Sequence, residues 1–156
     1  MKKQTLLMFL LSGALILTLL FAGYANVGKP TTDTLITWLG SDPSCDLQQK
    51  NCSLLTPDGA QISLLIANRP IPMVKPFQIK VQVSNMDVQE VAVDFKGIGM
   101  DMGPNNITLE QLTPGEFSGT GILPVCVRNH MEWRADVYIK TAKGIVVAPF
   151  LFASSH

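Results

Sequence analysis

The chain has 156 residues, the size of a single domain, and its 12 basic residues balance its 12 acidic ones. Every acidic residue follows residue 25, so the part beyond that point is slightly acidic once Lys2 and Lys3 are set aside, and it contains no cluster of lysine or arginine. This charge distribution argues against a surface for nucleic acids and against a surface for anionic lipids.

Residues 1–25 predict one N-terminal hydrophobic helix, because Lys2 and Lys3 precede an uncharged, mostly apolar run. Two interpretations stay open: a signal peptide cleaved near position 25, or an uncleaved membrane anchor. The uncharged run is long enough to cross a bilayer, which favours the anchor. We therefore expect the rest of the chain on the periplasmic side of the bacterial inner membrane, anchored there or soluble in the periplasm after cleavage.

Residues 26–58 predict a linker followed by a polar loop that contains Cys45 and Cys52. In an oxidising compartment this local pair is expected to form a disulfide, worth about 2.5 kcal/mol in the chain-entropy model. A metal-binding or redox dithiol is the alternative, but the C-x6-C spacing matches neither a redox C-x2-C pair nor a zinc ribbon. Cys126 is then left as an odd thiol.

The segment 59–156 predicts an all-β domain. Apolar and polar residues alternate in runs separated by glycine, proline and asparagine turns, and a further short strand could lie within residues 35–41. Each run has one apolar face, which is typical of antiparallel sheets with one face in water. We therefore expect an immunoglobulin-like antiparallel β-sandwich of about seven strands. The predicted strands cover residues 60–67, 77–84, 91–96, 106–112, 117–123, 131–140 and 145–153.

No catalytic motif is recognisable in this domain. The two histidines are His130 and the C-terminal His156, so only His130 is a plausible base. Cys126 lies four residues before it, and along an extended chain their side chains would be about 13 Å apart. The sequence therefore predicts that the protein is not an enzyme.

A metal site is the sharper hypothesis. Met100 and Met102 lie two residues apart in the glycine-rich segment GIGMDMGP, and Cys126 and His130 lie in a second cluster. Sulfur ligands select Cu(I), so the predicted metal ligands are Met100, Met102, Cys126 and His130, and the predicted cofactor is copper(I). The alternatives are plain loop packing for the two methionines, burial for Cys126 and a surface role for His130. Met131 is expected to belong to the core.

From residue 91 to residue 139 the order of motifs resembles that of the YtkA-like and FixH-like proteins. The glycine-rich methionine segment is followed by TPGEFSGTG, and then by a strand with a tryptophan. The matching positions are Met100, Met102, Pro114, Gly115, Phe117, Gly119 and Trp133. The chain also resembles a group of uncharacterised gammaproteobacterial envelope proteins with a similar cysteine loop and LPVC segment.

The resemblance implies a small exported β-sandwich that takes part in copper delivery and the assembly of haem-copper oxidases. One departure is that residues 103–106 stand where the family often has a histidine. The resulting expectation is a non-enzymatic copper(I)-binding accessory protein or chaperone, whose partner is a membrane oxidase or a copper-delivery protein. A metal-free envelope module that docks on a membrane complex is the main alternative. A thiol-redox role for Cys126 ranks last, because only Arg128 offers a nearby positive charge.

Overall fold

The computed structural model describes residues 34–124 and 130–155. The predicted helix in residues 1–25 lies outside the described residues, as does Cys126. The described ranges form strands and connecting loops without any helix, which confirms the all-β prediction. Nothing helical in these ranges has the length and apolar character needed to cross a membrane.

Two five-stranded sheets form a β-sandwich-like fold. The order of strands is β1-β10-β9-β5-β6 in sheet A and β2-β3-β4-β8-β7 in sheet B. All neighbours are antiparallel except β1, which runs parallel to β10. The strands are β1 Ile36–Trp38, β2 Cys52–Leu55, β3 Gln61–Ile66, β4 Phe77–Ser84, β5 Glu90–Gly97, β6 Asn106–Thr108, β7 Glu110–Thr113, β8 Glu116–Gly121, β9 His130–Thr141 and β10 Gly144–Ser155.

The described part thus contains ten strands, where the sequence predicts about seven. The additional strands are three or four residues long, too short for an alternating pattern to be recognised. The predicted strand over residues 106–112 is divided at Leu109, where the chain passes from sheet A to sheet B. Leu109 is buried and its amide donates to the carbonyl of Val91 at 2.9 Å. The immunoglobulin-like subtype stays a prediction.

The core lies between the inner faces of the sheets. In β4 every second side chain is buried, as its alternating sequence predicts. Aromatic side chains form a continuous row across the interior: Phe77 packs edge-on against Phe95 at 5.6 Å, and Phe95 packs edge-on against Phe152 at 6.3 Å. Trp133 stacks on Phe152, and its indole N–H donates to Ser154 Oγ at 2.9 Å. The indole N–H, the polar group of this aromatic row, therefore has a hydrogen-bond partner.

The cysteine loop closes one open side of the sandwich. Cys45 and Cys52 form the predicted disulfide, with their Cα atoms 5.8 Å apart. Leu47, between them, has no exposed surface and belongs to the core. Its amide donates to the carbonyl of Leu151 on β10 at 3.3 Å, and its carbonyl accepts from Nε of Arg69 at 3.0 Å. The segment that the sequence assigns to a linker and loop therefore contributes both to the core and, through β1 and β2, to the two sheets.

The chain enters the sandwich at the end of sheet A that carries the β9–β10 turn. Ile36 on β1 lies opposite Ile145, and the carbonyl of Leu35 accepts from the amide of Ile145 at 2.8 Å. The compact unit formed by the sandwich begins at Thr34. The other end of the same hairpin carries the first residues of β9 and the last residues of β10.

Candidate functional site

The methionine loop, residues 98–105, connects β5 to β6 at the end of the sandwich opposite the β9–β10 turn. The amide of Ile98 donates to the carbonyl of Glu132 on β9 at 2.8 Å. At the other end of the loop, the carbonyl of Asn105 accepts from the amide of Phe95 at 3.1 Å, and its side-chain amide donates to the carbonyl of Ile122 at 3.0 Å. The first end of the loop is thus tied to sheet A, and the second is tied to sheet A and to the residue that follows β8 of sheet B.

The turn within the loop exposes a carboxylate and turns its neighbours inward. Asp101 is exposed, and its Oδ1 accepts from the amide of Gly103 at 2.9 Å. Gly99 and Gly103 have φ angles of 77° and 72°, a conformation that glycine adopts without the steric cost other residues pay. Met100 and Met102, on either side of Asp101, are half-buried and pack against the core.

A third methionine reaches the same place from sheet A. Met131 points from the inner face of β9 and is only 2% exposed, which confirms that it belongs to the core. A β-carbon placed on Gly97, at the end of β5, would lie 2.3 Å from Cε of Met131 and 3.2 Å from Cγ of Met102. It would also lie 3.1 Å from the carbonyl oxygen of Met100. We call Met100, Met102 and Met131 the methionine cluster.

The other predicted ligands are placed differently. His130 is exposed and precedes Met131 in the same strand, so its side chain leaves the opposite face of β9. The backbone of β9 therefore separates the imidazole from Met131. Cys126 lies outside the described residues. Among the residues that are described, no three histidine, cysteine, aspartate or glutamate side chains are grouped so as to hold a metal ion.

A groove of about 430 Å³ runs along the methionine loop. It continues onto the outer face of sheet A, where Nζ of Lys96 lies 3.2 Å from carboxylate oxygens of both Asp94 and Asp136. The groove is lined by Asp94, Lys96, Gly97, Met100, Asp101, Met102, Gly103 and Pro104. Two methionines and several charged residues therefore border one opening.

The charge of Lys96 is fixed by its neighbours. Partial burial alone would lower the pKa of Lys96, but its hydrogen bonds to the Tyr138 hydroxyl, Asp136 and Asp94 outweigh that effect and raise the pKa above its ordinary value. The Nζ–Oη distance to Tyr138 is 3.1 Å. Lys96 is therefore a permanent, paired cation beside the groove and not an available base.

The chemistry of the methionine cluster follows from its donor atoms. Thioethers are weak hydrogen-bond acceptors with no proton to exchange, so they offer soft electron pairs and no acid–base function. Such donors suit Cu(I), and they also suit apolar contacts. The sequence analysis assigns Met131 only to the core and does not place it beside the two loop methionines. Its signal is Gly97, which interrupts the inward-facing apolar positions of β5 where the next side chain would stand.

No protein-family model, curated protein or solved structure significantly matches this chain. The resemblance to YtkA-like and FixH-like proteins therefore stays a prediction.

Proposed function

We propose that the protein is a non-enzymatic copper(I)-binding accessory protein, or chaperone, on the periplasmic side of the bacterial inner membrane. The observation that supports this best is the position of Met100 and Met102, half-buried on a loop whose ends are hydrogen-bonded to sheet A and to Ile122, just after β8. Two thioethers held beside an open groove form a soft site of low coordination number.

Transfer from such a site would proceed by ligand exchange. The protein would hold Cu(I) through Met100 and Met102, together with Cys126 from the segment between β8 and β9, and pass it to an acceptor with more or softer ligands. His130 is the weakest of the predicted ligands, because its side chain leaves the face of β9 opposite Met131. The acceptor would be a copper-delivery protein or a haem-copper oxidase under assembly.

The test is an anaerobic Cu(I) titration of the full-length chain in detergent against a competing chromophoric chelator, with ascorbate as reductant. A variant with Met100→Leu and Met102→Leu is compared with a control carrying Met73→Leu and Met86→Leu, two partly buried methionines outside the cluster. We expect one-to-one binding that weakens by about a hundredfold in the first variant and stays unchanged in the second. Absence of binding in the unmodified chain would refute the copper function.

A metal-free interaction module is the second candidate, and the exposed apolar side chains at the edge of sheet A favour it. Leu35, Ile36 and Trp38 are 68%, 53% and 51% exposed. Clustered exposed apolar residues often mark contact surfaces. If docking is the function, replacing Leu35 and Ile36 with serine should abolish co-purification with a membrane complex, while replacing Met100 and Met102 with leucine should leave it intact.

A further inference from the structure

Gly97 occupies a position where β5 would otherwise place a core side chain. Val91, Val93 and Phe95 point inward and are fully buried, so the alternation directs residue 97 inward too. In place of a side chain from β5, the space is filled by Met131 from β9 and Met102 from the methionine loop. Two thioether side chains from different elements therefore meet in a niche created by a glycine.

Filling the niche with two methionine side chains costs more conformational entropy than filling it with one stiffer side chain. A single β-branched side chain at position 97 would fill part of the niche, whereas ordering each methionine side chain costs up to about 2 kcal/mol of conformational entropy. The three methionines also form a series in depth: Met131 is almost fully buried, while Met100 and Met102 are half-buried nearer the loop surface. A soft cation that enters from the groove would meet the loop sulfurs first.

We propose that Met131 is the innermost ligand of the copper(I) site, so that Met100, Met102 and Met131 hold the ion through three thioethers at this end of the sandwich. This inference rests on the proposed function and deepens it. It assigns a ligand role to a residue that the sequence assigns only to the core. An all-thioether set of this kind selects soft monovalent cations, Cu(I) and Ag(I), over Zn(II) and Cu(II).

The elements that carry the three sulfurs differ in rigidity. Met131 is on β9, where Ser154 of β10 lies directly opposite it, two residues from Trp133, at which the pairing of β9 with β5 ends. Met100 and Met102 are on a loop with glycines of positive φ at positions 99 and 103. One ligand is thus fixed by the sheet and two are carried by a turn, which allows the loop sulfurs to exchange with an acceptor while the inner one retains the ion.

The direct test is NMR of the full-length chain labelled with [methyl-13C]methionine. It carries Cys126→Ser, so that the free thiol does not compete, and it is titrated with Ag(I) as a probe that does not change oxidation state. We expect the methyl resonances of Met100, Met102 and Met131 to shift together at one equivalent. Those of Met73 and Met86 serve as internal controls and should not move.

A matched pair of variants, Met131→Leu and Met86→Leu, completes the test by Cu(I) titration. A Met→Leu substitution conserves side-chain volume, so both variants are expected to fold. The first variant should weaken Cu(I) binding by at least about tenfold and the second should leave it unchanged. The NMR experiment does not depend on how the first variant folds.

The outcomes separate the two proposals. If the Met131 resonance does not shift, or if Cys126→Ser abolishes all binding, the three-thioether site is wrong. Loss of Cu(I) binding in the Met100→Leu, Met102→Leu variant would still support the copper function in that case. If the unmodified chain binds neither Cu(I) nor Ag(I), both proposals fail together.

Discussion

Nζ of Lys96 lies 3.2 Å from Oδ2 of Asp136, a carboxylate whose side chain has no exposed surface although it is on the outer face of sheet A. Asp136 is covered by its own ion partners, since Nε of Arg134 lies 2.7 Å from Oδ1. Like charges face each other across the ladder, Asp94 opposite Asp136 and Lys96 opposite Arg134. The favourable contacts therefore run along the strands and along the diagonal between them.

Replacing Asp136 with asparagine should lower the free energy of unfolding by about 2 kcal/mol, because two partly buried cations lose a shared counter-ion. Urea denaturation measures the loss. The control is Glu116→Gln, which removes a more exposed pair with Lys80 at 3.8 Å and should change stability by less than about 0.5 kcal/mol. Equal effects of the two substitutions would contradict this account.

Two glycines should respond differently to alanine. At Gly115, φ is 80° and a β-carbon would lie 2.5 Å from the backbone oxygen of Val83, so Gly115→Ala should cost at least about 2 kcal/mol. At Gly97 the closest obstacle is the flexible end of Met131, which can move, so Gly97→Ala should cost about 1 kcal/mol. Thermal denaturation of both variants gives the order. A larger loss at Gly97 would mean that the end of the Met131 side chain cannot shift away from position 97, although its backbone stays in β9.

Removing the disulfide with Cys45→Ala and Cys52→Ala should lower the free energy of unfolding by about 2.5 kcal/mol. It should also accelerate hydrogen exchange at the amide of Leu47, because the loop that holds Leu47 in the core loses its closure. Reduction of the unmodified protein should reproduce both effects in the same denaturation and exchange measurements. Unchanged exchange at Leu47 would show that its contacts with Leu151 and Arg69 suffice to hold the loop.

The Asp58 side chain should give stability a dependence on acid pH. The hydrogen bond that Thr56 Oγ1 donates to it lowers the pKa of Asp58 below its ordinary value of 3.8. A carboxylate with a depressed pKa stabilises the fold above its unfolded pKa, and this contribution is lost as pH falls through the folded value. The stability difference between the unmodified chain and Asp58→Asn should therefore persist from neutral pH to 3.8 and shrink below it. A constant difference in acid denaturation experiments would contradict the assignment.

The long strands are predictable because their pattern is local. β4 and β9 alternate over eight residues or more, so their faces follow from the sequence, whereas β10 is recognisable as a long, mostly apolar run. β1 forms by pairing with β10, which is distant in sequence, and β2 forms by pairing with the neighbouring β3; no period can emerge over so few residues. Sheet membership depends on the same long-range pairing.

The candidate site is predictable only in part, for the same reason. Met100 and Met102 can be identified from the sequence because they lie two residues apart in a glycine-rich loop. Met131 joins them only because Gly97 pairs with Trp133 across sheet A, a register set by the pairing of β5 and β9. The opposite direction of His130 could have been anticipated, since adjacent residues of one strand point to opposite faces.

The position of β1 sets the distance between the start of the sandwich and the methionine cluster. Leu35 lies beside Ile145, whereas Met131 lies opposite Ser154, at the far end of the same hairpin. Nine residues of β9 separate the two levels, roughly 30 Å at the rise of an extended strand. Within the described residues, the sandwich therefore separates Thr34 from the methionine cluster by about the full length of the β9–β10 hairpin.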